Sequence, residues 1–140
     1  MIRISAQVSN GSGNHQVVLT TNDHEHAIEI PPRVNGVGSS ANGGELLFLA
    51  LATCYCNDIY REAAKSHIAV KHVQVEVRGE FGDAPGSRAE NITYNATVEA
   101  LASQQEILDL MKHTDTVAEI QNTLRQATVV VLKDAQAISV

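Results

Sequence analysis

The first residues alternate between apolar and polar. Ile2, Ile4, Ala6 and Val8 fall on one side, Arg3, Ser5, Gln7 and Ser9 on the other, which predicts a strand over 2–9 with one buried face. The turn cluster Asn10-Gly11-Ser12-Gly13-Asn14 leads to a second strand over 15–20, centred on Val17, Val18 and Leu19. Thr21-Asn22-Asp23 breaks it, and residues 26–30 form a third short strand that Pro31-Pro32 ends. Residues 34–40 read as a loop rich in Gly, Ser and Asn.

The pattern then changes. The stretch over 39–65 opens with Ser, Asn and two glycines and runs largely apolar from Leu46 to Tyr55. Asn42 as the cap, Glu45 in the first turn, and Arg61 and Lys65 near the end mark a helix start and a helix stop. Its middle, Leu46 to Ala52, is apolar on every side, which predicts a helix buried all round. Past the helix, Val73, Val75, Val77 and Phe81 alternate with polar residues, as do Ile92, Tyr94, Ala96, Val98 and Ala100. A loop over 82–87 joins them into an antiparallel pair packed on the long helix.

Ser103 with Glu106 makes one capping box and Thr116 with Glu119 a second, so the polar stretch 113–115 separates two short helices. The β-branched run over 128–132 predicts a last strand. Strands, long helix, strand pair, helices and a final strand give an α+β chain read as one domain over 1–140.

Composition narrows the function. The net charge is −6 and the pI about 5.4, with no basic run, so neither nucleic acid nor an anionic membrane is an expected partner. The longest apolar run is too short to span a bilayer. Met1-Ile2-Arg3 leads into alternating residues rather than a hydrophobic signal core, and the two cysteines, Cys54 and Cys56, do not read as a disulfide framework. The expected location is the cytoplasm, with reduced thiols.

Both cysteines sit inside the helix, which makes it the first place to look for chemistry. A residue separation of two on a helix is a rotation of about 200°, so their side chains diverge, and a disulfide between them requires local unwinding. Cys54 reads either as a nucleophile or as an inert core thiol. Asp58, one turn on, opposes ionisation of Cys54 if it faces the same pocket. Asn57, Asp58, Tyr60 and Arg61 either line that pocket or solvate the helix. His24 and His26 share a face in a strand and are a conceivable metal pair, but further ligands are not evident, so no metal and no cofactor is expected. His67, His72 and His113 read as structural.

The segment Asn-Gly-Gly-Glu-Leu-Leu-Phe-Leu-Ala-Leu-Ala-Thr-Cys over 42–54 resembles the OsmC/Ohr hydroperoxide-reductase family, whose usual form is N-P-x-E-L-L-x-A-A-L-A-A-C. The strand over 70–81 is similar to that family's strand after the helix, and 118–124 to its C-P-I-S-N-A-L segment. The resemblance implies an OsmC-like fold: antiparallel sheets around a central helix, in an intertwined homodimer. It implies a peroxidatic cysteine at Cys54, assisted by a glutamate near the helix start and an arginine from the N-terminal strands. Here the glutamate position falls on Gly44 with Glu45 beside it, the motif proline is Gly43, and the upstream arginines are Arg3 and Arg33, of which Arg33 is taken as the candidate. The family's second, resolving cysteine falls on Ala118, which leaves Cys56 as a secondary thiol and an external thiol as the expected reductant.

Three readings follow. The first is a thiol-dependent reductase of organic hydroperoxides in oxidative-stress defence. The second is an OsmC-like dimer without that activity, binding a small apolar ligand at its interface. The third is a stable dimer whose thiols do nothing.

Overall fold

Three hairpin-connected strands open the chain: β1 (Ile4–Gly11), β2 (Asn14–Thr21) and β3 (His24–Ile28), antiparallel in that spatial order, with Val8 opposite Val17 and Leu19 opposite His26. The computed structural model describes all 140 residues and divides into two compact units, Met1–Leu47 and Phe48–Val140. In the first unit, both predicted turns form, at Ser12-Gly13 and Asn22-Asp23. The third strand starts two residues earlier than expected, so His24 and His26 lie within it, both exposed. The loop after it is pinned by Asn10, whose Oδ1 accepts from the Gly38 N–H at 2.8 Å. Gly36, at a φ of +76°, lets the loop approach Gly13: a Cβ there would stand 3.3 Å from the Gly13 Cα.

The one-sided burial expected over 2–9 does not occur. Every residue of β1 is exposed, Ile4 and Val8 included. β1 is an edge strand of the three-stranded sheet, and no other element of the first unit packs on its apolar face.

The helix α1 (Gly43–Lys65) starts where its sequence says it should. Asn42 Oδ1 accepts from the Glu45 N–H at 2.8 Å, and Glu45 Oε1 accepts from the Asn42 N–H at 2.9 Å, a reciprocal cap. Burial all round is corrected by the structure. The buried positions are Leu51, Tyr55, Asp58, Ile59, Glu62 and Ala63, three or four apart, and Leu49 is 59% exposed. That spacing is one stripe, because the second unit covers one side of α1 and leaves the opposite apolar residues open.

In the second unit, β4 (Ala69–Phe81) and β5 (Ala89–Leu101) form the expected antiparallel pair, with register shifts between Val70 and His72 and between Arg78 and Glu80. Its inner face, including Val73, Val75, Tyr94, Ala96 and Val98, packs on a core of Tyr55, Ile59, Ala63 and Leu110. Gly79 leaves room for the Phe48 ring, whose Cζ would lie 2.6 Å from a Cβ built at that position.

The helix α2 (Gln104–Val117) begins at the Ser103–Glu106 capping box. The expected break over 113–115 is absent, and the second capping box does not form. His113 pairs with Glu62, and Thr114 is fully buried with its hydroxyl on the Leu110 carbonyl, so these polar residues stay helical. Thr116 turns its hydroxyl to the His113 carbonyl, and the chain breaks instead at Ala118, before α3 (Glu119–Arg125). The predicted strand over 128–132 is also absent: those residues are unpaired and exposed. Strand propensity needs an edge to pair with, and none is met within the chain.

Candidate thiol–carboxyl site

Along one face of α1, the half-buried Cys54 and the buried Asp58 and Glu62 follow one another at one-turn spacing. The first two, with Glu119 at the start of α3, form a tight cluster. Cys54 Sγ lies 3.6 Å from Asp58 Oδ2 and 3.7 Å from Glu119 Oε2, each in donor geometry for the thiol. Arg61, on the next turn, closes the cluster from outside. Its Nη1 stands 3.1 Å from Asp58 Oδ1 and 2.8 Å from Glu119 Oε1, while its Nε reaches Glu62 Oε2 at 2.8 Å.

This environment holds the sulfur as a thiol. Burial raises the Cys54 pKa above its ordinary 9.0; the Ile120 N–H opposes the rise, and the nearby Asp58 and Glu119 charges add to it. The two carboxyl groups are driven apart. Asp58 is pushed up to about 6 by burial and by the neighbouring Glu119, against the pull of Arg61. Glu119 lies below its ordinary 4.5: burial works against this, and the hydrogen bonds from Asp58 and Arg61 outweigh it. Below about pH 6 the pair therefore holds one proton, on Asp58, and above it both carboxyl groups are ionised.

One turn further on, Glu62 is compensated in full. It is 4% exposed and contacts Lys65 at 2.9 Å, Arg61 at 2.8 Å and His113 at 2.8 Å. Those partners, Lys65 first, hold it down to about 2.

Cys54, Asp58 and Glu119 also bring three potential metal-ligand atoms within 4.8 Å of one another. Arg61 is the one cation paired with these two carboxyl groups, and it is shared with Glu62.

Cys56 is free and lines a separate cleft with Ala52, Thr53, Asn57 and Val75, the divergence from Cys54 that helical spacing requires. Glu45 is engaged in the cap of α1, and Arg33 Nε donates to the Ser39 carbonyl at 3.2 Å; both belong to the first unit. The structure adds three groups to the site that sequence reasoning did not assign: Glu119, the Ile120 N–H and Arg61 as the shared cation. Glu119 had one signal pointing to it, its place beside Ala118, where the resembling family carries its second cysteine.

A family model described as OsmC-like protein matches residues 36–133. No curated protein sequence matches the chain. Solved structures with the same fold include an OsmC-like protein from Mycoplasma pneumoniae, with a TM-score of 0.63 at 16% identity over 89% of this chain and 87% of that one. A hypothetical protein from Aquifex aeolicus has a TM-score of 0.62 at 16% identity, over 91% and 89%. An organic hydroperoxide resistance protein from Elizabethkingia anophelis has a TM-score of 0.54 at 19% identity, over 89% and 88%. No helix of the chain is long and apolar enough to cross a membrane.

Proposed function

The chain belongs to the OsmC-like family, and on that premise we propose that it is a cysteine-dependent reductase of organic hydroperoxides. The observation that carries this reading is the contact of the Cys54 thiol with two carboxyl groups of unequal proton affinity. Such a pair can accept one proton and return it. Cys54 Sγ attacks the terminal oxygen of R–O–O–H, and the O–O bond breaks. The thiol proton passes to the Asp58–Glu119 pair and from there to the leaving alkoxide. Thiol and hydroperoxide thus become a sulfenic acid and an alcohol. Two external thiol groups then reduce the sulfenic acid, releasing water and a disulfide. The external reductant follows from Ala118, which has no sulfur, and from Cys56, which opens on a different cleft.

A second reading has its own observation. The thiol is held above its ordinary pKa rather than below it, opposite to the usual device for a peroxidatic cysteine, and this favours an OsmC-like binding protein for a small apolar ligand. Under either reading the proposed partner is a second copy of the chain. The uncovered apolar positions Ile4 and Val8 and the unpaired run Val129-Val130-Val131-Leu132 support that.

Cumene hydroperoxide consumption with dihydrolipoate tests the proposal. Turnover disappears in Cys54→Ser, survives in Cys56→Ser, and in the native protein climbs as pH rises from about 6 to about 9, because the thiol ionises late. No turnover by the native protein even near pH 9 would leave the binding reading.

A further inference from the structure

Cys54 Sγ and one oxygen from each of Asp58 and Glu119 lie within 4.8 Å of one another, the reach of a single coordinated ion. Sγ stands 3.6 Å from Asp58 Oδ2 and 3.7 Å from Glu119 Oε2. In a tetrahedral zinc site, Zn–S of about 2.3 Å and Zn–O of about 2.0 Å place sulfur and oxygen about 3.5 Å apart. Both S···O separations in the cluster come within about 0.2 Å of that value, the tolerance expected of a metal site.

The surroundings present these donors as ligands. Arg61 Nη1 holds the outer oxygens, Asp58 Oδ1 at 3.1 Å and Glu119 Oε1 at 2.8 Å, and so leaves Oδ2 and Oε2 turned toward the sulfur. Asp58 is 5% exposed, and the hydrogen-bond donor that its Oδ2 meets is the Cys54 thiol. Once that thiol ionises, a buried carboxylate oxygen faces a thiolate with no donor between them, an arrangement that requires a cation. The Ile120 N–H donates to the same sulfur, the kind of outer contact that steadies a metal-bound ligand. Glu119 is exposed and Cys54 half-buried, which leaves a route from solvent and room for a water. The donor set selects the ion: Ca²⁺ and Mg²⁺ ask for about six oxygens, whereas a thiolate with two carboxylates suits zinc. Charge agrees, since a thiolate and two carboxylates are balanced by a divalent ion together with Arg61.

We propose that Cys54, Asp58 and Glu119 form a binding site for one divalent ion of the Zn²⁺ kind, with water as its fourth ligand and Arg61 bracing the two carboxylates. Binding exchanges the thiol proton, which passes to solvent, for the metal. A sulfur bonded to the ion does not attack a peroxide, so the ion is a reversible block on the thiol. The site stands on the geometry of the cluster and does not require the hydroperoxide reading.

The test is a titration of the reduced full chain with Co²⁺, whose bond to a thiolate gives a near-ultraviolet charge-transfer band, followed by displacement with Zn²⁺. One equivalent of Co²⁺ develops the band in the native protein and in Cys56→Ser, and Zn²⁺ bleaches it. Cys54→Ser has no band. Asp58→Asn and Glu119→Gln each weaken binding by more than about tenfold, the least that losing even an outer partner of a metal costs. If these variants do not fold, the native protein still decides: Zn²⁺ shields Cys54 from iodoacetamide and leaves Cys56 open, read by peptide mass. No band and no shielding in the native protein overturn the proposal. So does a band that follows Cys56, or an affinity indifferent to both carboxyl changes, since a lone thiol would then be the whole site. Hydroperoxide turnover is scored separately. Metal binding without turnover keeps this site and strikes the reductase, and turnover without metal binding does the reverse.

Discussion

The two ends of the polar stripe on α1 carry similar residues and behave in opposite ways. At one end, a single carboxylate, Glu62, meets Lys65, Arg61 and His113, and is held ionised down to about 2. At the other, a thiol and two carboxyl groups share Arg61 alone, so Asp58 rises to about 6 and the Cys54 thiol rises as well. Arg61 touches both clusters, and the difference is the ratio of acids to cations around it. An excess of cation makes a charge inert; a shortage leaves a proton that can move near neutrality. Groups whose environments push their proton affinities apart are the ones suited to acid–base work. The Glu62 end reads as architecture and the Cys54 end as chemistry.

The largest expected effect comes from Asp58→Asn, which strikes the chemical end alone. Losing the proton relay lowers hydroperoxide turnover about a hundredfold, the low end of what a general acid–base group contributes. The same change removes a negative charge from beside the sulfur, so iodoacetamide alkylation of Cys54 near pH 7 becomes faster. The two readouts move in opposite directions. Turnover and alkylation rising together would mean that Asp58 only represses the thiol, and the relay would be abandoned.

Arg61→Gln should have a smaller and lopsided effect. The Asp58–Glu119 pair loses its one cation, so the Asp58 midpoint moves above about 6. Glu62 keeps Lys65 and His113 and stays ionised well into the acid range. Carboxyl ¹³C titration of labelled Asp and Glu reads both ends in one experiment. Equal displacement of the two would end the distinction drawn from the cation ratio.

How legible these features were depends on the range of the forces behind them. The β4–β5 pair, the caps at Asn42 and Ser103, and the opposed cysteines follow from local periodicity and helical spacing, and each is found. The resemblance carried by residues 42–54 is matched by the family model over 36–133. Misreadings cluster where a residue's fate is set by distant partners. His113 and Thr114 look like a helix break until Glu62 and the Leu110 carbonyl engage them, and 128–132 looks like a strand until no edge is found for it. The thiol site was half legible. Asp58 is one turn from Cys54 on any helix, whereas Glu119 is 65 residues away and arrives only through the packing of α3.

The smallest expected effect is also the one that sets the two ends directly against each other: the dependence of stability on pH. Glu62 lies at about 2 in the folded chain against an ordinary 4.5. Its contribution is fully present above that ordinary value and is lost as pH falls through the folded one. Glu62→Gln therefore lowers Tm near neutrality, and the deficit shrinks toward pH ~2. Asp58 has the reverse sign, about 6 folded against an ordinary 3.8. The folded chain binds its proton more tightly than the unfolded chain, so this carboxyl favours folding below 3.8, and the benefit is lost as pH rises through about 6. Relative to the native protein, Asp58→Asn thus gains Tm at pH ~8, and the gain fades as the medium is acidified. Thermal unfolding followed by circular dichroism between pH ~3 and ~8 yields both difference curves. Opposite slopes follow from one shared arginine serving two unequal clusters. Parallel slopes would mean that Asp58 is as fully compensated as Glu62, leaving the stripe without a chemical end.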